Sequence, residues 1–271
     1  MLGQLESQRS RLSWNKNEET SAQQMWGGTG VLIQGKTIQR IQKFEENKSN
    51  LARWSSCTLR GKEGAVVRIV SIYVPNEKST GPASVATQHR RYYDKKSIPG
   101  ECNKIWWKDF KQALDKWYQN GENIIVAGDV NEEVQSESIQ AIFNEYEMRE
   151  CLTERHDETP ETCKQNNKNK TIDGIWATPG IQPTACGYLE YGNWDHRPIW
   201  IDLDEREVFG HREIKTKPMT ARKLKLQNTK AAKRYCRLLK EQYEKKISKR
   251  DYSKLRKKLK KIRTTKTFCI H

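Results

Sequence analysis

The stretch Asn193-Trp194-Asp195-His196-Arg197-Pro198 leads directly into Ile199-Trp200-Ile201-Asp202-Leu203. The second stretch alternates in the way that is typical of a half-buried β-strand. An acid and an imidazole that lie together at the mouth of a strand can hold a metal ion or transfer a proton. The same pair also fits an ordinary loop, so further segments are needed to distinguish a functional site from a loop.

A second segment, Asn123-Ile124-Ile125-Val126-Ala127-Gly128-Asp129-Val130-Asn131-Glu132, predicts a buried strand that ends in polar residues. Gly128 lets the chain turn, and Asp129 and Asn131 follow at the carboxyl end of the strand, where α/β folds place their ligands. If the chain stays extended, both side chains face the same way because they are two residues apart. An ordinary Asp/Asn turn is the alternative.

Two more segments contribute an acid and a tyrosine. Residues 171–178 alternate like a strand and contain Asp173, and an acid is rarely buried unless it is paired. A histidine is its natural partner, because a carboxylate fixes the ring's tautomer. An edge strand with Asp173 in water is the alternative. Residues 70–76 predict a strand that stops at Pro75, in which Tyr73 either donates its hydroxyl to a phosphate oxygen or is an ordinary strand tyrosine.

In their order along the chain, these four segments resemble the motifs of the endonuclease/exonuclease/phosphatase superfamily. The closer resemblance is to the apurinic-endonuclease-like domain of LINE-type retrotransposons and related reverse-transcriptase proteins. Marks of this resemblance are Gly27-Gly28-Thr29-Gly30, Leu51-Ala52-Arg53-Trp54 and Cys186-Gly187-Tyr188, and it covers roughly residues 1–210. It implies an α/β (α+β) fold, a four-layered sandwich in which two packed mixed β-sheets are flanked by helices.

The resemblance also implies catalytic roles. His196, oriented by Asp173, would act as general base toward water or stabilise the scissile phosphate. Asp129 would position or deprotonate the attacking water, and Asn131 and Tyr73 would hold phosphate oxygens. Such an arrangement suits phosphodiester hydrolysis, in which negative charge develops and fixed donors and a hard cation stabilise it.

The metal ligands implied by the resemblance are Glu6 and Asp195, for Mg²⁺ or Mn²⁺. Magnesium takes few carboxylates and completes its shell with water and substrate phosphate. The N-terminus departs from the family's pattern, because Leu5 replaces the usual glutamine before that glutamate. No residues upstream supply the family's asparagine-bearing strand. We therefore expect the first strand of the sheet to be missing, as in an N-terminally truncated or decayed copy, which puts the activity of the chain in question.

The charge is distributed unevenly. The formal net charge is +16, but residues 205–271 contain 24 Lys and Arg against 6 Asp and Glu, whereas residues 1–204 are nearly neutral. This contrast predicts a catalytic domain at residues 1–206 and a basic, partly helical tail at residues 207–271. At 271 residues the chain is long enough for one large α/β domain.

The tail has helical periodicity, because Tyr235, Leu239, Tyr243 and Ile247 recur every four residues. A solvated basic helix and a helix that binds nucleic acid through phosphate contacts both fit this pattern. The basic residues predicted to contact nucleic acid are Arg197, Lys223, Lys225, Lys233 and Arg234.

Elsewhere, apolar residues at helical spacing predict a helix over 106–117 that ends at Gly121, and a second helix over 138–149. Residues 75–104 and 156–170 are predicted to be polar loops. The seven cysteines are scattered and form no Cys-x-x-Cys, which argues against a zinc site or a disulfide framework and favours a reducing compartment. No signal peptide or membrane span is visible, so we expect an intracellular, nuclear protein with no membrane partner.

Three functions follow. The first is a magnesium-dependent phosphodiesterase, specifically a DNA-nicking endonuclease domain of retroelement origin. The second is an inactive fold whose basic tail binds nucleic acid. The third is a phosphatase of a small phospho-substrate, since that reaction uses the same residues. The basic tail favours nucleic acid over a small substrate. The resemblance implies that this nucleic acid is DNA.

Overall fold

The computed structural model describes residues 10–15, 27–49, 51, 53–156, 158–164, 170–193, 195–210 and 229–246. The chain divides into two compact units, Met1–Glu213 and Ile214–His271. The predicted residues Glu6, Lys223 and Lys225 lie outside the described residues.

The described part of the first unit contains ten strands and four α-helices. The strands are β1 (Ser10–Asn15), β2 (Thr29–Gln34), β3 (Ile41–Glu46), β4 (Trp54–Arg60), β5 (Val66–Tyr73), β6 (Asn123–Asp129), β7 (Arg149–Glu150), β8 (Asp173–Ala177), β9 (Pro183–Tyr188) and β10 (Ile199–Leu203). The helices are α1 (Val85–Lys95), α2 (Cys102–Gln119), α3 (Glu137–Asn144) and α4 (Glu205–Phe209), with a 3-10 helix at Gly35–Arg40.

Six of the strands form one mixed sheet in the order β3-β4-β5-β6-β8-β7. Only β5 and β6 are parallel neighbours, and the connection between them contains α1 and α2. This connection is expected, because parallel neighbours need a long crossover whereas antiparallel neighbours can be joined by a tight turn. The strands predicted at residues 124–127 and 199–203 are confirmed within β6 and β10. Those predicted at 70–76 and 171–178 are confirmed in part, since β5 ends at Tyr73 and β8 spans Asp173–Ala177.

The two faces of the six-stranded sheet are covered differently. On one face, the aromatic side of α2, with Trp106 and Phe110, packs with Phe143 of α3 against the sheet. On the other face, residues of β2, β9 and β10, such as Val31 and Ile199, pack against the sheet in a second core. Successive residues of a strand serve opposite faces, so each inner strand contributes to both cores.

The α/β architecture predicted from the sequence is therefore confirmed. In the described residues, the second sheet layer consists of two separate two-stranded antiparallel sheets, β1-β2 and β9-β10. The helix predicted over 106–117 is confirmed by α2, which extends from Cys102 to Gln119.

Two predicted elements differ from the structure. The expected loop at 75–104 contains α1, whose start is capped by Ser84, because its hydroxyl accepts a hydrogen bond from the Thr87 backbone N–H at 3.2 Å. Its buried face includes Gln88 and His89, so apolar spacing does not mark this helix. The helix expected over 138–149 ends at Asn144, because the chain then turns back to bury Tyr146 and Met148 before β7, and this turn interrupts the helix.

One buried cation holds several elements of the sheet together. The Arg68 guanidinium is 4% exposed and forms ion pairs with Glu45 at 2.7 Å and Glu122 at 2.6 Å. It also lies 4.4 Å from the ring centroid of Trp117. A buried charge with this many partners is satisfied, whereas removal of the guanidinium would take away the ion-pair partner of Glu122 and leave Glu45 with Lys43 alone.

The second unit is described only at α5 (Thr229–Lys246), which confirms the predicted helical periodicity for that range. Its apolar residues Tyr235, Leu238 and Leu239 are about half exposed, at 52%, 49% and 43%. The predicted contact residues Lys233 and Arg234 are exposed on this helix. No helix among the described residues is long and apolar enough to cross a membrane.

Candidate active site

Three predicted site residues lie in one row across the six-stranded sheet. In the strand register, Tyr73 at the end of β5 pairs with Asp129 at the end of β6, and Asp129 pairs with Asp173 at the start of β8. By the alternation of each strand, all three point to the face that carries β9 and β10. The alternative of an exposed edge position for Asp173 is wrong, because β8 lies between β6 and β7 and the carboxylate side chain is only 14% exposed.

Asn131 joins this row through a turn. The expectation of an extended chain is wrong, because Asn131 has a left-handed backbone with φ of 53°. Its backbone N–H donates to Asp129 Oδ1 at 2.7 Å, and its amide nitrogen donates to the Val74 carbonyl at 2.8 Å and to Asp129 Oδ2 at 3.2 Å. The Asn131 side chain also acts on the Tyr73 hydroxyl, because it opposes the rise in the pKa of Tyr73. The turn, a common use of Asp and Asn side chains, thus fixes the amide and the carboxylate as one unit.

His196 reaches this row from the segment before β10. Its ring N–H at Nδ1 donates to Asp173 Oδ2 at 2.8 Å, and its Nε2 lies 3.9 Å from Asp129 Oδ2. The backbone around His196 is held by an antiparallel bridge to Cys163. The predicted orientation of His196 by Asp173 is therefore present in the structure, with the second ring nitrogen turned toward Asp129.

Burial and neighbouring negative charges shift the pKa values of the titratable groups in this cluster. Burial, followed by the nearby charge of Asp173, raises the pKa of Asp129 to about 7. The hydrogen bond that His196 donates to Asp173 raises the pKa of His196 to about 9. The negative charges of Asp173, Asp129 and Asp195 act in the same direction, and burial opposes them. Burial, followed by the charge of Asp129, raises the pKa of Tyr73.

The site opens into a cavity of about 400 Å³. Polar site residues and apolar sheet residues share its lining, which comprises Ala127, Gly128, Asp173, Ile175, His196, Arg197, Pro198 and Ile199. A few convergent polar groups in a largely apolar cavity are typical of a ligand site.

Comparisons with known proteins place this architecture. No protein-family model matches the sequence, and no curated protein matches it. Among solved structures, the 3′ phosphatase NExo from Neisseria, bound to its product DNA hairpin, is 13% identical with a TM-score of 0.51, and the match covers 74% of this chain and 82% of that chain. The catalytic domain of Xenopus laevis APE2 is 13% identical with a TM-score of 0.50, covering 73% of this chain and 76% of that chain. An endonuclease/exonuclease/phosphatase family protein from Leptotrichia buccalis is 16% identical with a TM-score of 0.49, covering 75% and 74%.

The chain has the endonuclease/exonuclease/phosphatase fold. The resemblance inferred from the four sequence segments is confirmed at the level of the fold. At identities of 13% the likeness extends no further than the fold, so the LINE-type assignment stays a prediction.

A divalent cation fits the donor set that this fold brings together. Asp129, Asp173 and His196 each offer a ligand atom, and these atoms all lie within 4.8 Å of one another. Among the described residues, His196 is the only cation within ion-pair distance of Asp129 and Asp173. Close carboxylates repel one another, and a hard cation relieves this repulsion while taking oxygen ligands.

The endonuclease/exonuclease/phosphatase fold places the remaining predicted residues at the border of this cluster. Asp195 is exposed, and its charge acts on Tyr73, Asp129 and His196. Arg197 lines the cavity beside His196. The metal-binding role of Asp195 and the nucleic-acid role of Arg197 stay predictions.

One residue of the site is missing from the sequence prediction. The Thr162 hydroxyl, fully buried, accepts hydrogen bonds from the backbone N–H groups of Ile172 at 2.9 Å and Asp173 at 3.0 Å. It thereby holds the start of β8, where the carboxylate partner of His196 lies. A threonine in a polar segment gives no signal for such a contact, because its partners belong to another part of the chain.

Proposed function

We propose that this chain is a divalent-metal-dependent phosphodiester hydrolase that acts on nucleic acid. In its most specific form, the proposal is a DNA endonuclease domain of retrotransposon origin. The fold supports the reaction class, since the matched structures include a 3′ phosphatase and the catalytic domain of APE2.

The observation that carries the proposal is the pair formed by His196 and Asp173. Their 2.8 Å hydrogen bond fixes Nδ1, so that Nε2 faces Asp129 and the cavity. A histidine held in this way is typical of acid–base and phosphate-binding sites, whereas a structural histidine needs neither a second acid at 3.9 Å nor an adjacent cavity.

Hydrolysis of a phosphodiester needs a water molecule to attack phosphorus while the bond to the leaving oxygen breaks. Asp129 lies where it can orient that water and take its proton. Nε2 of His196 is the ring nitrogen that meets the substrate, as a base when neutral or as a donor to a phosphate oxygen when protonated. Asn131 and Tyr73 supply further donors. Asp195 and the carboxylates of the cluster would hold Mg²⁺ or Mn²⁺, which would supply charge neutralisation at the phosphate oxygens.

Two features support nucleic acid as the substrate. The matched NExo structure contains a product DNA hairpin. In the second unit of this chain, α5 presents the exposed cations Lys233, Arg234 and Arg237, which attract polyanions without sequence specificity. A chain that acts on DNA in this way would be expected in the nucleus.

The test is a nicking assay on supercoiled plasmid with Mg²⁺, with and without EDTA. We expect nicking that EDTA abolishes, and a loss of at least about a hundredfold in the variants Asp195→Ala and His196→Ala. The matched control is Asp202→Ala, which removes an exposed acid on β10. Nicking by the Asp195→Ala variant at the rate of the unsubstituted protein would refute the site assignment.

The exposed basic surface of α5 also favours a second function, in which the chain binds nucleic acid without cleaving it. Salt-sensitive retention of the plasmid with no nicking would support this reading. A phosphatase of a small phospho-substrate is the third candidate. Release of phosphate from p-nitrophenyl phosphate, with no cleavage of plasmid, would support that candidate over the endonuclease.

A further inference from the structure

Beside the cluster around His196, two cationic side chains contact the ring of one tyrosine. Lys164 Nζ lies 3.8 Å from the centroid of the Tyr191 ring, and the Arg197 guanidinium carbon lies 4.5 Å from the same centroid. The Tyr191 hydroxyl donates to the Glu161 carbonyl at 2.8 Å, which fixes the ring. Cations held against an aromatic ring are attracted to its π electrons, so both keep a defined position.

The backbone joins this group rigidly to the catalytic histidine. The Lys164 backbone N–H donates to the Asp195 carbonyl at 3.0 Å, and the Arg197 backbone N–H donates to the Thr162 carbonyl at 2.7 Å. Between these two hydrogen bonds, Cys163 and His196 form a β-bridge. In this short antiparallel ladder, Arg197 therefore follows His196 directly, and Lys164, which follows Cys163, lies opposite Asp195.

No carboxylate among the described residues neutralises the charges in this group. Within the part of the chain that the structure describes, neither Lys164 nor Arg197 has a carboxylate within ion-pair distance. The Arg197 Nε atom is buried and has no hydrogen-bond partner among those residues. Two cations against one ring repel each other, and an anion that contacts both removes this repulsion.

We propose that Lys164, Tyr191 and Arg197 form a second phosphate site, which binds the phosphate next to the scissile one in a polynucleotide. The proposal rests on the proposed function and names its substrate class. A small phosphoester has a single phosphate, which the cluster around His196 takes, so this second site contributes nothing to its binding. A polynucleotide places further phosphates along the same path, where a guanidinium fork and an ammonium bind them through charge-assisted hydrogen bonds.

The test compares two substrates with the full chain and Mg²⁺. One is a dinucleotide with a single phosphodiester bond, and the other is a 12-nucleotide strand. In Lys164→Gln and Arg197→Gln, we expect kcat/KM for the 12-nucleotide strand to fall about tenfold, because each loses one charge-assisted phosphate contact. The fall for the dinucleotide should be clearly smaller. Lys164→Arg keeps the cation and should restore most of the kcat/KM that Lys164→Gln loses on the 12-nucleotide strand.

The matched control is Lys36→Gln, which removes an exposed lysine from the 3-10 helix. It should leave the ratio of the two kcat/KM values unchanged. Equal losses on the two substrates in Lys164→Gln, or no loss on either, would overturn the proposal. Matching urea-unfolding midpoints establish that the substituted chains are folded. If Arg197→Gln does not fold, the comparison of Lys164→Gln with Lys164→Arg decides the proposal.

If the unsubstituted chain cleaves neither substrate, the proposed function fails and binding decides the second site separately. Fluorescence anisotropy of a labelled 12-nucleotide strand is then measured in EDTA over a range of salt concentrations. Lys164→Gln should reduce the slope of log affinity against log salt by about 0.7, the value for one lost contact to a single strand, while Lys36→Gln should not change it. An unchanged slope in Lys164→Gln would overturn the second site.

Discussion

Replacement of Asp173 by asparagine isolates the charge that holds His196. The hydrogen bond from Nδ1 is 2.8 Å long in the unsubstituted protein, and the carboxamide oxygen of asparagine can still accept it. The ring therefore keeps its orientation while the negative charge is lost. In the metal-free protein, the pKa of His196 is raised to about 9 from the ordinary 6.5, first by this hydrogen bond. Asp129 remains 3.9 Å from Nε2 and keeps part of the effect. We therefore expect the pKa of His196 to fall to about 7 in Asp173→Asn.

The energetic size of this change follows from the pKa values. A fall of about two pKa units corresponds to about 3 kcal/mol of interaction with the imidazolium. The His196 side chain is 33% exposed, and solvent screening therefore reduces the contribution to stability to about 2 kcal/mol. Because the folded pKa lies above the unfolded one, this stability is fully present below pH 6.5. It declines as pH rises from 6.5 and is lost above pH 9.

The assay is an NMR titration of the histidine ring protons in EDTA. The chain has five histidines, and a His196→Asn variant assigns the His196 signal by its absence. Buried His89 is a useful internal marker, since burial lowers its pKa to about 3. Asp202→Asn, on an exposed acid, is the control and should leave the His196 titration unchanged. If the pKa of His196 stays within one unit of its original value in Asp173→Asn, the electrostatic account of the pair is wrong.

Three further predictions concern the sheet that positions the site. Gly128→Ala should destabilise the protein by several kcal/mol in urea unfolding, because a Cβ there would lie 2.0 Å from the Ile72 carbonyl oxygen and Gly128 has a φ of 156°. The control is Gly121→Ala, where φ is 69° and no atom lies within 4 Å of the added Cβ. This control should cost about 1 kcal/mol. Trp176→Ala should cost roughly 3–5 kcal/mol, since a fully buried ring would be lost, and an effect under 1 kcal/mol would contradict its place in the core. Arg68→Met should cost roughly 3–5 kcal/mol at pH 7, because the buried Glu122 carboxylate loses its guanidinium partner and Glu45 keeps Lys43 alone. A cost under 1 kcal/mol would show that the ion pairs of Arg68 contribute nothing to stability.

The sequence predicts much of the local structure around the site. Alternation and β-branched runs locate β5, β6, β8 and β10, and aromatic residues at helical spacing locate α2. These are local signals, because each comes from residues that are neighbours along the chain. The order of the segments that contain Tyr73, Asp129, Asp173 and His196 also predicts the fold family. Helix α1 gives no such signal, because its buried face is partly polar.

Only the tertiary structure decides how these residues meet. The strand register places Tyr73, Asp129 and Asp173 in one row, and a left-handed turn at Asn131, not an extended chain, brings its amide to Asp129. The group of cations on Tyr191 is likewise invisible in the sequence, since its members come from separate segments. The physical reason is that hydrophobic periodicity records which face of an element is buried. It does not record which distant element covers that face or in what register, because that choice is made by packing and backbone hydrogen bonds between segments far apart in the chain.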